Sequence, residues 1–158
     1  MSAVTTNSDA VAIAIAEHQH RQGPLLPILH DVQHALGHIP HAAVSEIAEA
    51  LNLSRAEVHG VVTFYHTFTS EPQGKHVIEV CRAESCQSMG GRDIEAAFKD
   101  KLGLDWGETS EDKQVTLEPV YCLGNCACSP SVRIGKNIYG RVSPDQVDEL
   151  IASVKEGK

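Results

Sequence analysis

Four cysteines occur in two closely spaced pairs along this chain. Cys81 and Cys86 form a C-x4-C pair, and Cys122 and Cys126 form a C-x3-C pair. Each pair follows a predicted strand and therefore falls in a loop at the end of that strand. Because thiolates are soft ligands, four of them from two adjacent loops can enclose a small iron–sulfur rhomb. The pattern predicts one [2Fe–2S] cluster and hence single-electron chemistry.

The residues around the four cysteines are expected to adjust such a centre. Gly124 and Asn125 lie inside the second pair, and both residue types tolerate the positive φ angles of a tight loop. Arg82 and Arg133 are expected to offset part of the negative charge of an all-thiolate cluster. Hydrogen bonds to sulfur tune the reduction potential. The backbone amides predicted to donate them lie near Ser85, Gln87, Gly124 and Ala127.

Other uses of the cysteines require different spacings. Structural zinc prefers C-x2-C knuckles, so the wider first pair fits zinc less well, although a zinc site remains an alternative. A thioredoxin-type redox pair needs C-x-x-C, which does not occur in the sequence. Cys128 is the fifth cysteine, and a four-ligand cluster has no place for it. We interpret Cys128 as a bystander thiol, with a substitute ligand as the alternative.

Residues 1–74 are predicted to form an all-helical N-terminal domain in which residues 1–23 are a loose start. Residues 9–21 are compatible with a helix, but its hydrophobic period is poor and we expect it to fray. Apolar residues at helical spacing predict amphipathic helices over Leu25–Leu36, 42–51 and 54–65. Ser54 and Glu57 have the spacing of a capping box at the start of the third helix. A turn at residues 71–74, which contains proline and glycine, marks the expected domain boundary.

Residues 75–158 change to a pattern of short strands and helices. Pro119 within the second strand indicates an edge position or a bend, because proline cannot donate to a sheet. The order β-α-β-β-β-α describes a small open sheet covered by helices. The expected fold class is α+β or α/β, with a helical bundle followed by a thioredoxin-like open sheet domain that holds the cluster. Strands are predicted over 76–80, 115–121, 132–134 and 138–142, and helices over 93–102 and from Ser143 onward.

The charge distribution argues against nucleic acid as a partner. The formal net charge is −8, and residues 1–74 contain seven acidic but only two basic side chains. Binding phosphates requires a basic excess, which neither domain has. No run approaches the roughly 18 apolar residues that span a bilayer, and residues 1–9 do not resemble a secretory signal. Clustered thiols suit a reducing compartment, so we expect a cytoplasmic protein without direct membrane contact.

The segment 42–65 has the helix-turn-helix pattern of a DNA-binding protein. Its second helix would offer Arg55, Glu57 and His59 to DNA, and this set is nearly neutral. An iron–sulfur transcription regulator is therefore the alternative from a different functional class.

Three histidines recur every four residues on the polar side of the helix predicted from Leu25. His30, His34 and His38 could ligate zinc or respond to pH. No carboxylate or thiol accompanies them in an obvious pattern, so the simpler interpretation is a solvated or interface-forming side of the helix.

The sequence contains no recognisable device for binding a nucleotide. It lacks a G-x-G-x-x-G motif after a strand, and it lacks a P-loop. No catalytic triad or carboxylate pair stands out, so no catalytic residue is predicted. Any nucleotide or flavin that works with this chain is therefore expected on a partner chain.

The cysteine pattern resembles a known family. C-x4-C followed by Cys122-Leu-Gly-Asn-Cys126 and a nearby Pro130 is similar to the thioredoxin-like [2Fe–2S] subunits of NAD-linked redox complexes. These complexes are respiratory complex I (NADH:quinone oxidoreductase), NAD-linked hydrogenases and NAD-dependent molybdenum formate dehydrogenases. The resemblance covers roughly residues 24–155 and includes the helical segment 53–65. Within the family, segment 81–91 looks most like the gamma subunit of the formate dehydrogenases, whereas Cys128 departs from the family pattern.

The resemblance implies a non-catalytic electron-transfer subunit. It implies that the cluster ligands are Cys81, Cys86, Cys122 and Cys126, and that a partner flavoprotein binds FMN and NAD. In a formate dehydrogenase, the molybdenum cofactor belongs to a further subunit that oxidises formate to CO2 while NAD+ is reduced to NADH. The equivalent subunit of complex I or of an NAD-linked hydrogenase is one alternative, and a zinc-stabilised interaction module is another.

Overall fold

Helices alone make up the first of two units in this computed structural model, which describes residues 6–155. The units divide between Pro72 and Gln73, and the second combines helices with a sheet. This mixture of helices and strands confirms the predicted fold class. No helix within the described residues is long and apolar enough to cross a membrane.

The helices of the first unit follow the amphipathic patterns in the sequence. The second of them has the predicted bounds, the third begins one residue earlier than predicted, and the fourth is one residue shorter than predicted at each end. Gly37 and Asn52, at φ angles of 79° and 54°, end two of these helices in the left-handed conformation. In chain order, the helices are α1 (Asn7–His18), α2 (Leu25–Leu36), α3 (His41–Leu51) and α4 (Arg55–Phe64).

Helix α1 forms where the sequence predicts a loose segment over residues 1–23. Thr6 and Asp9 supply a capping box: the Thr6 hydroxyl accepts from the Asp9 N–H at 3.2 Å, and the Asp9 carboxylate accepts from the Thr6 N–H at 3.1 Å. Val11 and Ala14 are buried in the core that α1 shares with the other helices of this unit. Residues 7–18 therefore form a packed helix where a loose, frayed one is expected, because the core of this unit buries one side of the helix despite its weak periodicity. Residues 1–5 lie outside the described residues.

Ser54 begins α4 with the predicted capping box, which we expect to stabilise the protein. Its hydroxyl accepts from the Glu57 N–H at 3.2 Å, and the Glu57 carboxylate accepts from the Ser54 N–H at 2.7 Å. Replacing Ser54 with alanine should lower the free energy of unfolding by about 1 kcal/mol, because one N-terminal amide loses its acceptor. Urea denaturation followed by circular dichroism measures this change.

The same capping box predicts a dependence on acidity. Hydrogen bonds from the Ser54 N–H and then from its hydroxyl hold the pKa of the Glu57 carboxyl below its usual value. The stabilisation is therefore present above the unfolded-state pKa and is lost as the pH falls through the folded-state pKa. Ser54→Ala should lose less stability than the parent over this acidic range. Equal stability of the two proteins at neutral pH would contradict the prediction.

The second unit is built on a four-stranded sheet with the order β2-β1-β3-β4. β1 and β2 run parallel, whereas β3 is antiparallel to both β1 and β4. Two short 3-10 helices cover Cys126–Cys128 and Pro144–Gln146. The named elements are β1 (His76–Cys81), α5 (Glu84–Ser88), α6 (Gly91–Leu102), β2 (Val115–Val120), β3 (Ser131–Ile134), β4 (Asn137–Gly140) and α7 (Val147–Lys155).

Helices α6 and α7 bury their apolar sides in the core of the sheet unit. Phe98 of α6 is fully buried, and Val147 of α7 is equally enclosed. The sequence predicts both helices but no helix at α5, whose five residues are too few to show a period. The buried core consists of Ile78, Val80, Ile94, Phe98, Val115, Leu117, Val132, Ile134, Val142, Val147, Leu150, Ile151 and Val154.

The parallel pairing of β1 and β2 brings their following loops to one edge of the sheet. Cys81 at the end of β1 is in register with Val120 at the end of β2, and the Arg82 N–H donates to the Val120 carbonyl at 2.7 Å. Pro119 lies in the edge strand β2, one of the two positions that the sequence indicates. The two cysteine-bearing loops therefore begin side by side.

Candidate metal centre

Cys81 and Cys86 form a buried pair at the start of the first loop. Cys81 is the last residue of β1 and Cys86 lies in α5, and each is only 2% exposed. Burial raises the pKa of the Cys81 thiol, and its contact with the Cys86 side chain adds to this rise. The backbone N–H groups of Ala83 and Leu123 donate to the Cys81 sulfur and act in the opposite direction. Leu123 belongs to the second loop, so this amide links the two loops at the sulfur.

Cys122 and Cys126 form a second, exposed pair just beyond β2. The side-chain contact with Cys122, followed by its charge, raises the pKa of the Cys126 thiol, and the charge of Cys86 adds a smaller rise. Gly124 has a φ of 74°, which favours glycine, and its N–H donates to the Cys122 sulfur at 3.3 Å. The structure therefore brings together all four cysteines that the sequence predicts as ligands.

The backbone donors to sulfur differ in part from those predicted. The Gly124 amide does donate to a cysteine sulfur, as expected. The Gln87 amide instead donates to the Ala83 carbonyl at 2.9 Å, because Gln87 lies within helix α5. The amides of Ala83 and Leu123 take its place as donors to Cys81. Asn125 also departs from expectation, since its φ of −104° is an ordinary value.

The four sulfur atoms are arranged as two pairs. Within residues 6–155, Glu17, His18 and Asp31 form the group of possible metal ligands whose ligand atoms all lie within 4.8 Å of one another. This group contains no cysteine. A single tetrahedral zinc ion with four thiolates needs all four sulfurs within about 4 Å of each other, because Zn–S bonds are about 2.3 Å long. A two-iron rhomb takes two ligands on each iron and separates the pairs. The arrangement suits two irons better than one zinc.

Cys128 is half-buried and lies two residues beyond Cys126. Its contacts run through the backbone: its N–H donates to the Asn125 carbonyl at 2.9 Å, and its carbonyl accepts from the Arg141 N–H at 2.6 Å. The Ser131 hydroxyl also donates to that carbonyl at 3.3 Å. These contacts fix the loop that carries Cys126 and make no use of the Cys128 sulfur.

Two serine hydroxyls lie beside the cysteines, although the sequence gives no motif that identifies them. The hydroxyls of Ser85 and Ser129 are 2.7 Å apart, and Ser129 is 8% exposed. Ser129 Oγ is 2.8 Å from the Cys126 carbonyl and 3.7 Å from the Cys86 sulfur. Ser85, from the first cysteine loop, and Ser129, which follows the second pair, thus connect the two cysteine loops.

The two arginines predicted to offset the cluster charge are paired with carboxylates. Arg82 Nε lies 3.0 Å from Glu95, and the guanidinium lies over the Trp106 ring, 5.5 Å from its centroid. Arg133 pairs with Glu79 on the neighbouring strand, and this carboxylate raises the pKa of the guanidinium. Both positive charges are therefore paired within the unit, and their partial offset of a cluster's charge stays a prediction.

The three histidines at four-residue spacing have different surroundings, and His38 lies beyond the end of α2. His30 and His34 are exposed, and together with Gln33 and Gly37 they line an open surface cavity. The His30 ring packs 5.0 Å from Phe68. His38 Nδ1 lies 3.1 Å from the backbone carbonyl at position 36. The structure does not bring these histidines together as a set of metal ligands.

A different histidine lies close to two carboxylates in the helical unit. The candidate ligand atoms of Glu17, His18 and Asp31 lie within 4.8 Å of one another, and His18 Nε2 is 2.6 Å from Asp31. Arg21 is 3.2 Å from His18 Nδ1, and because arginine only donates, Nδ1 must accept. Nε2 then faces the carboxylate as a donor, so a helix-to-helix hydrogen bond accounts for this group without a metal.

The exposed side of α4 offers little to DNA. Arg55 and His59 are exposed and line an open cavity with His41, while Glu57 is engaged by the Ser54 cap. One cation and one anion lie on this short surface. It lacks the positive excess that phosphate contacts require.

Comparisons with known proteins identify relatives of this chain. NADP-reducing hydrogenase subunit HndA from Solidesulfovibrio fructosivorans is 35% identical over 132 residues, which are 84% of this chain and 77% of that protein. A subunit of the NADH-quinone oxidoreductase of Escherichia coli strain K12 is 36% identical over 124 residues, which are 78% of this chain and 75% of that protein.

A solved structure supports the same fold. The crystal structure of NAD+-reducing [NiFe]-hydrogenase in the air-oxidized state superposes with a TM-score of 0.70 at 20% identity. The match covers 84% of this chain and 23% of the hydrogenase chain. The thioredoxin-like [2Fe–2S] ferredoxin family matches residues 11–155, which confirms the resemblance inferred from the cysteine pattern. The chain therefore belongs to the thioredoxin-like [2Fe–2S] ferredoxin family.

Proposed function

We propose that this chain is an electron-transfer subunit that holds one [2Fe–2S] cluster through Cys81, Cys86, Cys122 and Cys126. When bound, the cluster takes up and releases one electron at a time. The residues of this chain hold, shield and tune that centre, while the substrate chemistry takes place on partner subunits.

The observation that carries the proposal is the meeting of two thiol pairs at one edge of the sheet. Cys81 ends β1 and Cys122 follows β2 by two residues, and these strands are parallel neighbours. Cys86 and Cys126 complete the pairs, and the Ser129 hydroxyl lies 3.7 Å from the Cys86 sulfur and 2.8 Å from the Cys126 carbonyl. Four soft ligands from two adjacent loops are the donor set of an all-cysteine [2Fe–2S] centre.

The two pairs differ in their access to solvent. Cys81 and Cys86 are buried, whereas Cys122 and Cys126 are exposed. Tyr121, which precedes the exposed pair, is 60% exposed. A partner that approaches the side of Cys122 and Cys126 can exchange electrons over a short distance. Tyr121 fits such an interface, because aromatic residues are common at protein interfaces. The buried pair anchors the centre and excludes water from its inner side.

The proposed partner is a flavoprotein that binds FMN and NAD, because a flavin can divide the electron pair of a hydride into single steps. Similarity to subunits of an NADP-reducing hydrogenase and of an NADH-quinone oxidoreductase supports such a partner. We further propose a formate dehydrogenase with a molybdenum subunit, on the resemblance of segment 81–91 to gamma subunits. The two named relatives favour a hydrogenase or complex I subunit as the alternative.

Metal and sulfide analysis of the native protein tests the cluster. The chain purified without oxygen should contain about two iron atoms and about two inorganic sulfides, and it should give an EPR signal only after reduction. A colourless protein that contains zinc and no inorganic sulfide would contradict the proposal.

The partner complex is tested by purification of the chain from its native cells. A flavoprotein should copurify with it, and the complex should reduce NAD+ with formate. Reduction of NAD+ with hydrogen, or of quinone with NADH, in place of formate would assign the chain to one of the alternative complexes.

A further inference from the structure

Ser85 and Ser129 form a pair of hydroxyls between the two cysteine loops. Ser129 precedes β3 and is 8% exposed, and Ser85 lies in α5 next to Cys86. The two oxygens are 2.7 Å apart. Both reach the Cys126 carbonyl, at 2.8 Å from Ser129 and 3.3 Å from Ser85, and Ser129 also contacts the Cys86 sulfur at 3.7 Å.

The two hydroxyl hydrogens have four acceptors within reach. These are the two serine oxygens, the Cys126 carbonyl and the Cys86 sulfur. As a thiol, Cys86 donates its own hydrogen to Ser129, and Ser129 donates to the Cys126 carbonyl. As a cluster ligand, Cys86 is a thiolate that only accepts. Ser129 then has two competing acceptors, and Ser85 is placed to serve the carbonyl if Ser129 turns away from it.

We propose that Ser129 and Ser85 act as a hydrogen-bond relay that sets the reduction potential. On reduction, the Ser129 hydroxyl turns from the Cys126 carbonyl to the Cys86 sulfur, and Ser85 turns from Ser129 to that carbonyl. One electron enters from the reduced flavin of the partner or from a chemical reductant, both hydroxyls keep their protons, and no covalent bond changes. The inference rests on the proposed function, because it concerns the potential of the proposed cluster.

The direction of the effect follows from charge. Reduction adds negative charge to the ligand sulfurs, and a hydrogen bond to a charged acceptor is stronger than one to a neutral carbonyl. Ser129 therefore stabilises the reduced state more than the oxidised state and raises the potential. Ser85 supports this change because the Cys126 carbonyl keeps a donor in both states. Both serines act on the potential by positioning hydrogen bonds.

The test is a redox titration of cluster-containing variants monitored by EPR. In Ser129→Ala, the ratio of reduced to oxidised cluster at a fixed potential should fall about tenfold, which equals a shift of about 59 mV for one electron. Ser85→Ala should shift the potential in the same direction by less. Because the two act as a unit, the double variant should shift no further than Ser129→Ala alone.

Ser153→Ala is the matched control. Ser153 lies in α7, and its hydroxyl donates to the Leu150 carbonyl at 2.7 Å, away from both cysteine loops. It should keep the parent potential. An unchanged potential in Ser129→Ala, or an equal shift in Ser153→Ala, would overturn the relay while iron and sulfide content still supports the cluster. If Ser129→Ala does not fold, an unchanged potential in Ser85→Ala overturns the relay. A parent protein without iron and sulfide overturns both the relay and the proposed function.

Discussion

Replacing Cys86 with alanine is expected to abolish cluster binding, whereas replacing Cys128 with alanine is expected to leave the cluster in place. Cys86 is 2% exposed, and its side chain contacts the Cys81 sulfur. Its loss removes one of the four thiolates, so iron should fall from about two atoms per chain towards zero. The contacts of Cys128 run through its backbone, and alanine preserves them.

Iron, inorganic sulfide and the EPR signal of the reduced protein are the measurements for this pair of variants. Because metal binding is coupled to folding, the Cys86 variant should also unfold at a lower temperature than the loaded parent. Loss of the EPR signal in Cys128→Ala together with its retention in Cys86→Ala would show that the ligand set contains Cys128 instead. Loss in both variants would also contradict the prediction, because it is the result expected if Cys128 replaces Cys122 or Cys126 as a ligand.

The positions of the cysteine loops could be predicted because they follow from strand order. Hydrophobic runs of the right length predicted β1 and β2, and cysteines follow both. Cys81, however, is the last residue of β1 itself, and its side chain is 2% exposed. Because successive strand residues point to opposite sides of a sheet, Cys81 lies on the side opposite the core residues Ile78 and Val80, and its burial comes from the loops that cover that side. Sequence patterns do not place a strand end to within one residue.

The surroundings of the cysteines could not be predicted because distant segments supply them. Ser129 is separated from Ser85 by 44 positions, and no motif relates the two. The amide of Leu123 donates to Cys81 across the gap between the loops. Helix α5 is only five residues long, which is too short for a hydrophobic period to reveal. Such contacts are set by how the loops pack, which local propensity does not determine.

In the helical unit, local sequence signals predict more of the structure than they do around the cysteines. Helix α2 has its predicted bounds, because apolar residues recur on one side and Gly37 ends it in the left-handed conformation. Helix α1 carries apolar residues on several sides, so its period is weak, yet Val11 is 1% exposed. Its capping residues Thr6 and Asp9 were available in the sequence as a start signal. A capping motif therefore identifies this helix better than its hydrophobic period.

Close packing between α5 and α6 holds Cys86 in place, and Gly91 permits it. Gly91 is the first residue of α6, and a Cβ atom built there would lie 2.6 Å from the Cys86 carbonyl oxygen and 2.9 Å from its carbon. Both are backbone atoms, so neither can move aside as a flexible side chain would. A methyl group at position 91 must push α5 away from α6 and carry the Cys86 sulfur away from Cys81.

Replacing Gly91 with alanine should therefore cost about 1–3 kcal/mol of stability and also reduce the amount of cluster bound per chain. Urea denaturation and iron analysis on the same preparation measure the two effects. Gly60→Ala is the matched control, because nothing lies within 4 Å of a Cβ at position 60 and the residue is inside helix α4. That variant should keep its iron and gain about 0.5–1 kcal/mol, since alanine favours a helix over glycine. A Gly91→Ala protein with full iron content and parent stability would show that α5 can shift without moving Cys86, and that the helix contact does not position the ligand.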